Sequence, residues 1–147
     1  MLFDTQTLFS DTQAVTVTAT STNLLDTGAT RDLLAGEGLF LVVQVTEAFD
    51  AGGAATLTVT LQTDDNSSFS SPTTLFTSPT IGLSGLTLGA RPVQIRVPRG
   101  AERYLRLSYT VADGPFTAGK VTAGLVLAGT LEDSARTAHP RAAYHPA

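Results

Sequence analysis

Strict alternation of aliphatic and hydroxyl side chains recurs along this chain of 147 residues and constrains its fold more than any other feature. The segment Ala55–Thr63 is the clearest case, because Leu57, Val59 and Leu61 alternate with threonines and a glutamine. Successive side chains of a strand point to opposite faces of a sheet, so this period places one set in a core and the other outside. No window shows a comparable helical period. The pattern therefore predicts an all-β protein.

Breaks rich in Gly, Pro, Asp and Asn separate about eight such segments, a spacing typical of a sandwich or barrel. The predicted strands are Ala14–Thr20, Leu39–Thr46, Ala55–Thr63, Thr73–Thr77, Ile81–Leu88, Arg91–Val97, Tyr104–Val111 and Lys120–Ala128. Eight antiparallel strands in two sheets make a jelly roll, which limits exposed strand edges. An immunoglobulin-like sandwich stays open, although the Cys…Trp…Cys pattern of true immunoglobulin domains is absent.

The length is that of one domain, which buries about 70% of the surface of its unfolded chain and needs no disulfide or metal to hold a core. We expect residues 1–13 to form an extended N-terminal arm, residues 14–129 the β-sandwich and residues 130–147 an irregular C-terminal tail. The arm carries four apolar anchors, which are Leu2, Phe3, Leu8 and Phe9. These anchors are expected to pack on a neighbouring chain, with packing on the chain's own sandwich as the alternative.

Arginines are concentrated between Arg91 and Val111, where the sequence reads as two strands around a tight turn at Pro98–Gly100. In this predicted hairpin the arginines fall on one face or in the turn. They are Arg91, Arg96, Arg99, Arg103 and Arg106. Cations on a rigid sheet, with no nucleophile or base among them, indicate docking rather than catalysis. We predict that these five side chains and the four arm anchors contact a partner or another subunit.

The charge is divided unevenly along the chain. Residues 1–90 carry nine acids and one base, whereas residues 91–147 carry four acids and eight bases. Opposed charged patches orient a molecule against a partner or a second copy, although charges that pair within one surface are the alternative. The net charge of −4 and the single lysine argue against nucleic acid as a partner. No uncharged run is apolar enough to span a membrane, so no membrane contact is predicted.

Sites for catalysis or metal binding are not evident in the sequence. Both histidines, His139 and His145, lie in the predicted tail, so the sandwich has no histidine to act as the base of a Ser-His-Asp triad. Two histidines also fall short of the three or four ligands of a zinc site. The stretch Asp64–Ser68 resembles part of a calcium loop, but it lacks the glycine and distal glutamate of an EF-hand, which favours a turn. We therefore predict a protein that is not an enzyme and that needs no cofactor.

Several ordered segments resemble the capsid cement (decoration) proteins of tailed bacteriophages. The likeness covers about residues 1–130 and is carried by the segments MLFDTQTLFSDTQAVTVTATSTNLLDTG, LFLVVQVTEAFDAGG, LTVTLQTDDNSSFSSPTTL, VPRGAERYLRLSYTV and GKVTAGLVL. The resemblance implies a jelly roll or related sandwich on the outer surface of the phage head. There it would bridge neighbouring subunits of the major capsid protein as a small homo-oligomer, for which we favour a dimer over a trimer.

Two other functions stay open at the level of sequence. A carbohydrate-binding jelly roll for host adsorption would present exposed aromatic side chains beside acidic or amide groups, and this chain has no tryptophan. A tail or fibre subunit would contain longer repetitive segments than those seen. The cement role is therefore our leading hypothesis.

Overall fold

The computed structural model describes residues 7–27 and 39–127. Most of these residues belong to nine strands: β1 Leu8–Ala14, β2 Ala19–Thr20, β3 Leu25–Asp26, β4 Leu39–Asp50, β5 Thr56–Asp64, β6 Thr73–Thr77, β7 Val93–Arg96, β8 Tyr104–Ala112 and β9 Ala118–Leu127. A 3₁₀ turn, Leu83–Gly85, lies between β6 and β7. The all-β prediction is confirmed for the described part of the chain.

The strands form two antiparallel sheets. Sheet A has the order β1-β9-β4-β7, and sheet B has the order β2-β8-β5-β6, with β3 also paired to β8. Because β2 and β3 both pair with β8, they act as one interrupted strand, which gives eight strands in total. The chain passes repeatedly from one sheet to the other, as in a jelly roll. The predicted jelly-roll-like sandwich is thus confirmed, and the immunoglobulin-like alternative is wrong.

The hydrophobic core lies between the two sheets. In sheet B, Leu57 and Leu61 of β5 and Leu105 of β8 are fully buried, as their alternation predicts. In sheet A, Val43 of β4 and Val121 of β9 are also fully buried and complete the same core. Full burial of one such aliphatic side chain contributes about 1.5–3 kcal/mol, so the core is the main stabilising element of the fold.

Two of the predicted strands differ from the structure. Ile81–Leu88 contains the 3₁₀ turn, and Ile81 forms only an isolated bridge to Leu57. Leu86 is fully buried, and its N–H donates to the carbonyl of Leu83 within the turn and not to a neighbouring strand. A turn therefore buries this apolar side chain without forming a strand. The segment Ala14–Thr20 covers the last residue of β1, a bend and the short β2.

The predicted N-terminal arm requires a correction. Residues from Leu8 onward form β1, an edge strand of sheet A that pairs with β9. Phe9 is fully buried in the core and Leu8 is 8% exposed, so both anchors pack on the chain's own sandwich. Burial in the core and pairing with β9 together keep this segment in the sheet. Leu2 and Phe3 lie outside the described residues, as does the predicted tail at residues 130–147.

The predicted hairpin between Arg91 and Val111 is also corrected. β7 pairs with β4 in sheet A, whereas β8 pairs with β5 in sheet B. The turn between them, with Gly100 at a φ of 101°, therefore carries the chain across the sandwich. A turn of this composition suits either a hairpin or a crossing, and only long-range strand pairing distinguishes them.

Candidate functional site

The five predicted contact arginines do not form one cluster. Arg96 lies on the outer face of sheet A, because its neighbours Ile95 and Val97 pack in or against the core. Arg106 lies on the outer face of sheet B, where it alternates with buried leucines of β8. The two outer faces of a sandwich point in opposite directions. The arginines are therefore distributed over both sides of the molecule.

Arg91 and Arg99 lie in the segments that flank β7, and both are exposed. Arg96 is exposed too, and its guanidinium carbon lies 5.4 Å from the centre of the Phe40 ring on the neighbouring strand. A cation over an aromatic face at an exposed site contributes about 0.5–1 kcal/mol. The contact orients Arg96 on the surface and leaves its charge accessible to a partner.

Arg103 is held by an ion pair at the start of β8. Its Nε lies 2.8 Å from Oδ1 of Asp26 and its Nη2 lies 3.1 Å from Oδ2, so the planar fork binds both carboxylate oxygens. The hydrogen bond and the charge of Asp26 raise the pKa of Arg103 further above its ordinary value. Both side chains are more than two-fifths exposed. This pair joins β3 to β8, and its charge is already neutralised within the chain.

Arg106 is held differently. Its Nε donates to Oε1 of Gln62 at 2.8 Å, and its guanidinium carbon lies 4.3 Å from the centre of the Phe69 ring. Gln62 is the register partner of Arg106 across β5 and β8. Phe69 comes from the β5–β6 loop, where its φ is 52° and its side chain is buried. Sequence reasoning missed both neighbours, and only the register of the two predicted strands would have indicated Gln62.

The outer face of sheet A contains buried apolar residues that sequence reasoning also missed. Val42 is fully buried and Val126 is 4% exposed, although neither belongs to the core between the sheets. Gly124 lies between Val42 and Leu8 in the register of sheet A. The uninterrupted apolar run from Leu39 to Val43 is the signal that would have indicated burial on both faces.

A buried polar network links the two sheets. The Ser10 hydroxyl donates to Oε1 of Gln13 at 2.6 Å and lies 2.7 Å from the Tyr109 hydroxyl. Because serine has one hydroxyl proton, Tyr109 is the donor in the second contact. Burial raises the pKa of Tyr109 well above its ordinary value. Gln13 continues the network by donating to the carbonyl of Thr20 at 2.9 Å. The network thus connects β8, β1 and β2.

The Asp64–Ser68 stretch forms a turn. Asp64 is 3% exposed, and its carboxylate accepts backbone N–H groups from Asn66 at 3.2 Å and Ser71 at 2.8 Å. The Ser71 hydrogen bond is the largest of the effects that lower the pKa of Asp64. Among the described residues there is no group of three His, Cys, Asp or Glu side chains placed to hold a metal ion. The turn interpretation of this stretch is confirmed.

Within residues 7–27 and 39–127, no helix has the length and apolar character needed to cross a bilayer.

Comparison with known proteins places the chain in a family. No curated protein matches the sequence. The model of the Bbp16 family matches residues 9–125, a range that runs from β1 into β9 and includes most of the chain. The chain therefore belongs to the Bbp16 family.

Proposed function

We propose that this protein is a capsid cement (decoration) protein that binds the outer surface of a phage head and bridges subunits of the major capsid protein. The observation that carries the proposal is the Bbp16 match over residues 9–125, from β1 into β9, because the family name points to a phage-related protein. The resemblance of the β1, β4, β5, β8 and β9 segments to cement proteins supports the same role. In this role the protein acts by binding, without catalysis or a cofactor.

The placement of the arginines supports bridging in particular. A module that joins two capsid subunits needs contact groups on more than one side. Arg96 on the outer face of sheet A and Arg106 on that of sheet B meet this requirement, and Arg91 and Arg99 add exposed cations beside β7. Each contact is modest by itself, but linked contacts raise the overall affinity by their effective concentration. A rigid sandwich keeps these contacts at a constant separation.

In the proposed role the protein acts as a homo-oligomer, and we favour a dimer over a trimer. Jelly-roll sheets end in edge strands, and an edge strand presents unpaired backbone groups that another chain covers readily. In the described sheets the outermost strands are β1 and β7 in sheet A, and β6 and the interrupted β2–β3 strand in sheet B. Sedimentation at tens of micromolar measures the oligomeric state directly, and a clean monomer argues against assembly before shell binding.

Binding to shells tests the function. Purified protein is mixed with phage heads that lack decoration, and cryo-electron microscopy of the particles measures occupancy and position. We expect saturable decoration of the outer surface, with added density at the junctions between capsid subunits. Absence of binding at any ratio, or binding to tail structures or host glycans instead, would overturn the proposal.

Charge reversal tests the contact residues separately. Arg96→Glu and Arg106→Glu are each expected to lower shell occupancy, most strongly at low salt, because rim charges act through screened long-range attraction. Thr110→Glu adds a negative charge at an exposed position of β8 without removing a cation, so it is the control. Normal occupancy of both reversed variants would show that the arginines are solvated surface groups, even if the wild type decorates shells.

A further inference from the structure

Strand pairing along β8 is interrupted opposite Arg106. Thr20 of β2 pairs with Ser108, and Leu25 of β3 pairs with Leu105, so the segment between β2 and β3 leaves the sheet at this point. Ser21 meets the backbone needs of β8 there, since its N–H donates to the carbonyl of Leu107 at 2.8 Å and its Oγ accepts the Leu107 N–H at 3.1 Å. The interruption opens space without leaving the backbone of Leu107 unpaired.

This space is a cleft with a volume of about 450 Å³. Its lining residues are Leu8, Thr20, Ser21, Thr22, Asn23, Leu24, Leu25, Ser67, Phe69 and Arg106. One part of the wall is aliphatic and aromatic, and another part carries hydroxyl and amide groups. Leu24 is 41% exposed and contributes apolar surface to the cleft beside Ser21, Thr22 and Asn23. Among the described residues of this lining, Arg106 alone carries a charge.

Arg106 is held in place before any ligand arrives. Its Nε is bound to Gln62 and its guanidinium carbon lies over the Phe69 ring, so little side-chain freedom is left to lose. Within the described residues, that bond to Gln62 is its only side-chain hydrogen bond, which leaves the N–H groups of both Nη atoms available. Arg103 differs, because Asp26 already occupies its fork. A fixed guanidinium with free N–H groups beside an open cleft is suited to bind an anion.

We propose that this cleft binds an acidic side chain carried on an apolar, extended segment of a partner protein. The Nη groups of Arg106 would receive the carboxylate, and Leu8, Leu24 and Phe69 would pack against the flanking apolar side chains. A carboxylate fits better than a phosphate, because one arginine balances a single negative charge and the described part of the lining has no second cation. The carboxylate chemistry follows from the cleft alone, whereas assignment of the segment to the capsid protein rests on the proposed function.

Peptide binding to the wild-type protein tests the chemistry without shells. The probes are acetyl-Leu-Asp-Leu-amide and the matched acetyl-Leu-Asn-Leu-amide, which differ only in the carboxylate. NMR follows the Arg106 Nε–H resonance during each titration. We expect a saturable shift with the aspartate peptide and a weaker affinity, by about tenfold or more, for the asparagine peptide, because hydrogen bonds to a charged group are the strong ones.

Variants then assign the effect to the arginine. Arg106→Gln is expected to lower affinity for the aspartate peptide by about tenfold or more, and Arg106→Lys to retain part of it, because lysine keeps the charge but loses the fork. Lys120→Gln, which removes a cation in β9 away from the residues that line the cleft, is the matched control and should bind as the wild type does. Backbone NMR spectra of each variant check that the sandwich is intact.

Several outcomes would overturn the inference. Equal binding of the two peptides, or unchanged binding by Arg106→Gln, excludes a carboxylate contact at this arginine. Tighter binding of inorganic phosphate than of the aspartate peptide makes the cleft a phosphate site. Loss of a dimer on substitution of Arg106 makes the occupant a second copy of this chain. If shells are decorated but the peptides do not bind, the inference fails alone; if the peptides bind but shells are not decorated, the proposed function fails alone.

Discussion

The outer faces of the two sheets differ in composition and in burial. Sheet B presents hydroxyl, amide and guanidinium groups, and Thr60, Gln62 and Arg106 are all partly exposed there. Sheet A has Val42 and Val126 on its outer face, and both are buried. Sheet B is therefore an ordinary half-solvated antiparallel sheet, whereas part of sheet A is covered on both sides.

This difference shows what alternation does and does not encode. In β5 and β8 the apolar and polar residues alternate strictly, so a slip of one residue would place a whole polar set in the core. In β4 the run from Leu41 to Val43 is apolar on both faces. It predicts that the strand is buried, but it does not show which side chains face the core. Gly124, on the same face of β9, is buried as well, which agrees with cover over this part of sheet A.

The largest expected effect is that of a charge placed on the covered outer face of sheet A, compared with the same charge on the exposed outer face of sheet B. Val42→Asp buries a carboxylate without a partner, so we expect a loss of about 3–5 kcal/mol in the free energy of unfolding, or failure to fold. Thr110→Asp introduces the same side chain at an exposed position of β8 and should change stability by about 0.5 kcal/mol or less. Urea unfolding measures both. Equal effects would show that the two faces are equally accessible.

The second prediction concerns a close contact within sheet A. Gly119 in β9 has a φ of 147°, and an added Cβ would clash with the ring of Phe49. Gly119→Ala should therefore destabilise the protein by about 2 kcal/mol or more, from overpacking together with backbone strain. Gly52→Ala, where nothing lies within 4 Å of the added atom, is the matched control. A melting temperature of Gly119→Ala equal to that of the control would contradict this packing.

The third prediction concerns the hydrogen bond between Tyr109 of sheet B and Ser10 of sheet A. Tyr109→Phe keeps the ring but removes the hydrogen bond to Ser10, at a cost of about 1 kcal/mol. A double-mutant cycle with Ser10→Ala measures the coupling between the two side chains. Additive losses would show that the hydroxyl contact contributes nothing across the core.

The buried Tyr109 side chain should also make the stability of the fold sensitive to alkaline pH. Its folded pKa is raised by burial, so above pH 10 the unfolded tyrosine loses a proton that the folded one keeps. Unfolding then becomes more favourable as pH rises. The stability of the wild type should fall more steeply above pH 10 than that of Tyr109→Phe, as measured by urea unfolding across that range. Parallel curves would contradict the raised pKa.

The smallest effect is expected in the β5–β6 loop of sheet B. The pKa of Asp64 in the folded protein is lowered, chiefly by the hydrogen bond from the Ser71 N–H. Its carboxylate therefore stabilises the fold at pH values above the ordinary pKa of 3.8. That contribution is lost as pH falls through the lower folded value. The stability difference between wild type and Asp64→Asn should therefore shrink below about pH 4. Glu47→Gln, an exposed carboxylate on sheet A, is the control, and a pH-independent difference for Asp64→Asn would contradict the prediction.

Much of the fold was determined by the sequence itself. Alternation correctly predicted the strands at Ala55–Thr63, Thr73–Thr77 and Tyr104–Val111, as well as the inward position of Tyr109. It did so because the side-chain period of a strand is a local property, set by neighbouring residues alone. The sequence also indicated that the arginines between Arg91 and Arg106 were surface groups rather than core.

Only the tertiary structure decided where those arginines lie relative to one another. The residues around Pro98–Gly100 allow either a hairpin or a crossing, and pairing of β7 with β4 and β8 with β5 selects the crossing. The same long-range pairing brings Gln62 beside Arg106 and opens the cleft where β2 and β3 part. A strand's own sequence specifies which side chains face inward, but its neighbours in the sheet come from distant parts of the chain through the packing of the whole core.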